Sequence, residues 1–213
     1  MGSDWYGGTI VGGDDEGGGR ERPTWSAPEN EVPVPVDVSA VIGRADDLAI
    51  FVGGFRVYSN GVEFTVSLRR RRTPTRRHDV MDLFMGHYGE LTDPEDQFLL
   101  GFEFADGTRV TSGGFGRPER GPQLNSHGGG GGGRGYDKTM WLTPLPPPGE
   151  LLLVCTWLRL GIEETRTVLD ATAFVTAAAG VEELWPWEPE PDEQPEPLAD
   201  VPVLPGWFGE TSG

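Results

Sequence analysis

Six arginines fall within nine residues, Arg69-Arg70-Arg71-Arg72-Thr73-Pro74-Thr75-Arg76-Arg77. A guanidinium forks onto carboxylate or phosphate oxygens through two parallel hydrogen bonds. A run of this density therefore reads as an anion-binding loop, for the acidic surface of another protein or for the phosphates of RNA. No aromatic residue interleaves the run, whereas single-strand binders pair charge with stacking platforms. Another protein is the first expectation for a partner, and RNA or a ribonucleoprotein the second. A third reading is internal. Glu188, Glu190, Asp192, Glu193, Glu196 and Asp200 supply six acids that could cover the loop and compete with an outside ligand.

A second binding candidate closes the chain, Val203-Leu204-Pro205-Gly206-Trp207-Phe208. Trp207 and Phe208 on a solvated spacer can fill a groove on a partner. The alternative is that they fold back onto their own domain, because an exposed Trp-Phe pair needs cover.

The residues that could do covalent or metal chemistry argue against an enzyme. Cys155 with His78, His87 and His127 invites a cysteine-hydrolase reading. However, Cys155 sits in the middle of Leu151-Leu152-Leu153-Val154-Cys155-Thr156-Trp157, where a buried thiol is ordinary. A nucleophilic thiolate needs an exposed, electropositive position. His78, Asp79, Asp82, His87 and Glu90 include ligand types, but no His-x-His, His-Glu-x-x-His or cysteine pair gives them metal spacing. The glycines 128 to 133 lack the Gly-Lys-Ser/Thr ending of a phosphate loop. Glu163-Glu164 and Glu182-Glu183 would point to opposite faces of a strand, so neither is an acid/base couple. Asp14-Asp15-Glu16 matches no calcium loop. No catalytic residue, cofactor or metal is expected.

The elements that must position these groups read as antiparallel β. Val57-Tyr58-Ser59 leads through Asn60-Gly61 into Val62 to Val66, and Phe98 to Ala105 leads through Asp106-Gly107 into Thr108 to Thr111. Asn-Gly and Asp-Gly accept the positive φ of a type I′ hairpin turn. Val62, Phe64, Val66 and Leu68 alternate with Glu63, Thr65 and Ser67, the period of a half-buried strand. Leu48 to Val52 is dense in strand formers, and Gly53-Gly54 marks a bulge. Val32 to Val38 reads as an edge strand because its prolines cannot donate to a ladder. Tyr136 to Thr143 reads as a strand with Trp141 facing the core, and Glu150 to Leu160 as the central strand. Thr165 to Leu169 returns beside it, and Asp170 caps a turn of helix through the following alanines.

Eight or nine short strands with no βαβ alternation predict a single antiparallel β-sandwich, immunoglobulin-like or jelly-roll-like, over residues 32 to 186. Residues 113 to 135 read as a mobile, irregular Gly-rich insertion. Residues 1 to 31 and 187 to 213 read as disordered tails, the first Gly- and acid-rich, the second acidic and Pro-rich.

Composition narrows the setting. The chain has 213 residues and a net charge of −17, which disfavours non-specific DNA binding. Lys138 is the only lysine among 17 basic residues. Cys155 is the only cysteine, so no internal disulfide framework exists. The start, Met1-Gly2-Ser3-Asp4, has no basic segment followed by an apolar run, and no apolar stretch could cross a bilayer. The expectation is a cytoplasmic, non-catalytic interaction module. A structural or assembly role, including packing into a homo-oligomer, stays open.

Overall fold

A computed structural model describes residues 22–72, 84, 94–112 and 121–189. Pro23–Pro186 make up one unit. The second unit joins Met1–Arg22 to Trp187–Gly213, of which only 22 and 187–189 are described.

Apolar alternation builds the strands, as expected. The strands are β1 (Glu31–Val32), β2 (Val34–Val36), β3 (Ala40–Ala45), β4 (Leu48–Tyr58), β5 (Gly61–Arg70), β6 (Leu99–Glu103), β7 (Arg109–Thr111), β8 (Gln123–Gly132), β9 (Gly135–Thr143), β10 (Glu150–Trp157), β11 (Ile162–Asp170) and β12 (Glu182–Glu183). One helix, α1 (Thr172–Ala178), lies between the last two strands. Every described pairing is antiparallel.

The larger sheet runs β2-β4-β5-β9-β8, with β3 also on β4. The smaller runs β11-β10-β6-β7, and β1 pairs β12 as a separate ribbon. Val62, Phe64, Val66 and Leu68 of β5 are all buried, as are Leu151, Leu153, Cys155 and Trp157 of β10. They belong to one apolar cluster shared by the two sheets. Phe64 meets Phe102 of β6 edge-on with ring centroids 5.6 Å apart. Phe55 bridges Phe64 and Phe174 of α1, stacking on both. At the other end Phe84 and Phe98 pack on Trp157. The indole of Trp157 donates to the carbonyl of Asp96 at 3.0 Å.

The bulge at Gly53-Gly54 is present as a register shift between Gly53 and Arg56. It separates the stretch of β4 that pairs β3 from the stretch that pairs β2. The helix also follows Asp170. Its carboxylate accepts from the Thr172 backbone at 2.8 Å, and hydrogen bonding from the Thr172 side chain, then from that backbone, holds the Asp170 carboxyl below the usual range.

Four expectations are corrected. Neither hairpin turn is type I′, since no described non-glycine residue has positive φ. Ser59-Asn60 form the first loop, and Gly61 lies in the strand. A Cβ on Gly61 would come within 2.6 Å of the Leu142 carbonyl, so a close approach selects that glycine. The second hairpin has a three-residue loop. Gly107 donates to Phe104 and takes φ 83°, which is a type I turn followed by a left-handed glycine.

Trp141 is buried, but on the other face of its sheet. Tyr136, Met140 and Leu142 share the face turned to the core, so alternation sends Trp141 outward. There Tyr58 meets it edge-on, and its indole donates to Thr24 at 3.0 Å. The described contacts of the domain thus include Thr24. Asn30 also donates to Glu183 and to the Trp185 carbonyl.

The glycine tract expected in an irregular insertion at 113–135 is strand. Gly129–Gly132 pair with Lys138–Gly135 in the β8–β9 hairpin. Backbone pairing needs no side chain, and a Cβ on Gly131 (φ 152°) would come 2.2 Å from the Gly135 carbonyl. Residues 113–120 lie outside the described set. The fourth correction concerns Arg69 and Arg70, which end β5 and do not belong to a loop.

Lys138 shares the inward face of β9 and is 6% exposed. Its ammonium donates to the Phe84 carbonyl at 3.2 Å. Burial pushes its pKa down to about 8. An unfolded lysine titrates near 10.4, so the unfolded chain holds more protons between those values. Stability should therefore rise by about 3 kcal/mol as pH climbs from 8 to 10.4. In Lys138→Met this rise should vanish and stability at pH 7 should increase, read by urea unfolding across that range. The glycines divide by the same kind of measurement. Gly131→Ala should cost about 1–3 kcal/mol. Gly130→Ala meets open space and an ordinary φ, and should be neutral or gain up to about 1 kcal/mol.

Candidate functional site

The arginine run divides where β5 ends. Arg69 lies on the outward face of the large sheet, opposite Gly135 in register. Its guanidinium meets both carboxylate oxygens of Asp137, at 2.8 and 3.2 Å, and lies 5.4 Å from the centre of the Phe51 ring. Ser67 also donates to Asp137. Burial would raise the Asp137 pKa. The bonds from Arg69 and Ser67 outweigh it, so the carboxyl sits below its usual value. Arg70 turns to the β3–β4 loop and meets Asp47 at 3.1 Å. Both charges are therefore spent within the domain.

Arg71 and Arg72 follow as an exposed bend. The Arg71 backbone donates to Asp47 and that of Arg70 to the Arg134 carbonyl, so three chain segments converge. Arg134, in the turn between β8 and β9, donates from its guanidinium to the Arg71 carbonyl at 3.3 Å. Among the described residues Arg71, Arg72 and Arg134 make no ion pair. The result is a tip with three exposed guanidiniums above two neutralised ones. Such a tip can bind carboxylates or phosphates bidentately.

Arg76, Arg77, Trp207 and Phe208 lie outside the described residues, as do the tail acids from Glu190 onward. Arg134, Asp47 and Asp137 were missed by sequence reasoning. The available signal was Gly133-Arg134-Gly135, a turn between two pairing segments. It was hidden while the glycines before it read as a linker.

The chemistry-bearing residues are scattered. Cys155 is 1% exposed on the inward face of β10, and burial pushes its thiol up to about 12. Thr165 donates to the carbonyl of Cys155 and also to that of Ile42. His127 stacks on Trp141 on the outer face of the large sheet, with a ring nitrogen 3.1 Å from the Trp25 carbonyl. His78, His87 and the acids around them lie outside the described residues. Among the described residues no three His, Cys, Asp or Glu side chains are placed to share a metal ion. A depression of about 330 Å³ lies between Glu103, the 104–107 turn, Glu150 and Leu152. Arg109 already pairs with Glu103 there.

No protein-family profile, curated protein or solved structure matches the chain. The fold shown is all-β, built from antiparallel sheets, and the function has to be argued from the side chains.

The buried Cys155 gives a direct check on the inward face of β10. At pH 8 a thiol titrating near 12 is about a thousandfold less ionised than a free one. A disulfide reagent should therefore react with the native protein at least about a thousandfold more slowly than with the chain in urea. Comparable rates would mean that Cys155 is not buried as described.

Proposed function

We propose that this chain is a non-catalytic protein-interaction module that holds an acidic segment of another protein at the tip formed by Arg71, Arg72 and Arg134. One observation carries the reading. Asp137 and Asp47 neutralise Arg69 and Arg70, whereas the three arginines beyond them are exposed and unpaired among the described residues. Paired arginines brace the strand end, and unpaired ones are free to bind.

The net charge of −17 repels an acidic partner at long range. Salt limits that repulsion, because charges interact over only about 8 Å at physiological ionic strength. A local cluster then decides binding. Trp207 and Phe208 are proposed as a second, apolar contact with the same partner. We assign the module to the cytoplasm. Among the described residues no helix is long and apolar enough to cross a membrane.

The test compares a fluorescent oligoglutamate peptide with oligouridylate RNA at 150 mM salt. The proteins are the full chain and its Arg71→Gln/Arg72→Gln/Arg134→Gln variant. Three exposed charge pairs are each worth about 0.2–1 kcal/mol, so the variant should lose about threefold to a hundredfold in peptide affinity. Arg109→Gln, far along the chain and already paired, should bind as the parent does. Equal peptide binding by parent and triple variant overturns the reading. Binding of RNA alone replaces it with a ribonucleoprotein role.

A further inference from the structure

We infer that the acidic segment is bound as an added β-strand along the free edge of β8, with its carboxylates on Arg71, Arg72 and Arg134. This rests on the acidic-partner reading above and specifies how that partner is held.

Among the described residues β8 is the last strand of the large sheet and pairs only with β9. No other described strand pairs with its outer edge, whose N–H and C=O groups are a template for another strand. Proteins usually blunt such an edge with proline, lysine, a charge or a covering segment. Gly128–Gly132 are all exposed and carry no side chain at all. The bulge in this strand, between Ser126 and Gly129, takes in Gly128 at the start of the bare stretch and leaves Gly129–Gly132 in regular pairing with β9.

Not all of these glycines are demanded by the fold. Gly131 is, by its close approach to Gly135, and Gly128 by a φ of 115°. Gly130 and Gly132 have ordinary backbone angles, and a Cβ on either would meet nothing within 4 Å. A glycine inside a strand costs about 0.5–1 kcal/mol relative to alanine. Unforced glycine in a strand often marks a bulge, a bend or a site where a ligand or another backbone approaches closely, and Gly130 and Gly132 lie outside the bulge of β8.

Charge selects the occupant. The bare strand runs directly into the Gly133-Arg134 turn, and Arg134 reaches the Arg71 carbonyl. A segment lying along Gly128–Gly132 therefore ends beside three exposed guanidiniums. Main-chain bonds would supply affinity without regard to side-chain size, and the tip would supply selection for carboxylates. A second copy of the same edge brings its own arginine tip and no acids along the bare stretch.

The experiment uses the full chain and two oligoglutamate peptides of equal charge. One is unmodified, and the other carries N-methyl groups on five consecutive central residues, which block both of its hydrogen-bonding edges. Strand addition requires the methylated peptide to bind at least tenfold more weakly. It also requires the unmodified peptide to slow amide hydrogen exchange within residues 128–132. Equal affinity of the two peptides, with arginine dependence retained, removes the strand-addition inference and leaves the acidic-partner reading standing. Peptide binding that ignores the arginines removes both. Protection of 128–132 that grows with protein concentration in the absence of peptide assigns the edge to a second copy and overturns the inference.

Discussion

The contact of Phe64 with Phe102 ties the large sheet to the small one, and the remaining architecture follows from it. Strand β5 pairs on both sides, to β4 and β9, so its main chain is satisfied and its register is held twice. Once Phe64 is inward, the two-residue period sends Val62, Val66 and Leu68 inward too. Glu63, Thr65, Ser67 and Arg69 must then face out. A slip of one residue would bury the charges and expose the core, which is why the register is unambiguous. The outward placement of Arg69 beside Asp137 is a consequence of burying Phe64.

The same alternation made much of the fold legible in the sequence. The inward set of β5, the bulge at Gly53-Gly54, the mid-strand burial of Cys155 and the helical turn after Asp170 all depend on local pattern. What escaped depends on contacts between distant residues. Trp141 reads as a core residue by size and apolarity. Its side of the strand is fixed by Lys138, Met140 and Leu142, which alternate onto the core-facing side, and its cover comes from Thr24, over a hundred residues away. Gly61 looks like half of a turn dipeptide, yet it is selected by the Leu142 carbonyl on a neighbouring strand. The glycine tract has the composition of a linker, and only its partner β9 turns it into a strand.

The arginine tip was half legible for the same reason. A run of four guanidiniums is visible in any reading of the chain. Which of them are available is not, because the deciding acids come from other hairpins. Asp47 arrives from the β3–β4 loop and Asp137 from β9. Exposed ion pairs of this kind add little to stability. Their larger effect is to subtract two charges from the run and leave the positive potential at the end of the domain. Arg134 then adds a third charge that makes no ion pair among the described residues, from a turn that no linear pattern connects to residue 72.

The placement of the one lysine follows from the difference between the two basic side chains. Every described arginine keeps some exposure, while Lys138 is buried on the inward face of β9. Burial penalises the charged form of either residue, but arginine cannot escape the penalty because it does not deprotonate in proteins. Lysine can, and the pKa of about 8 shows the protonated form already weakened. Its carbon stem packs in line with Tyr136 and Met140, and its nitrogen meets a carbonyl rather than a carboxylate. That carbonyl belongs to Phe84, which itself packs on Trp157 and Phe98. A polar group that can shed its charge is thus the one used inside, to hold an aromatic residue over the end of the core, while the permanently charged groups stay at the surface where an anion can reach them.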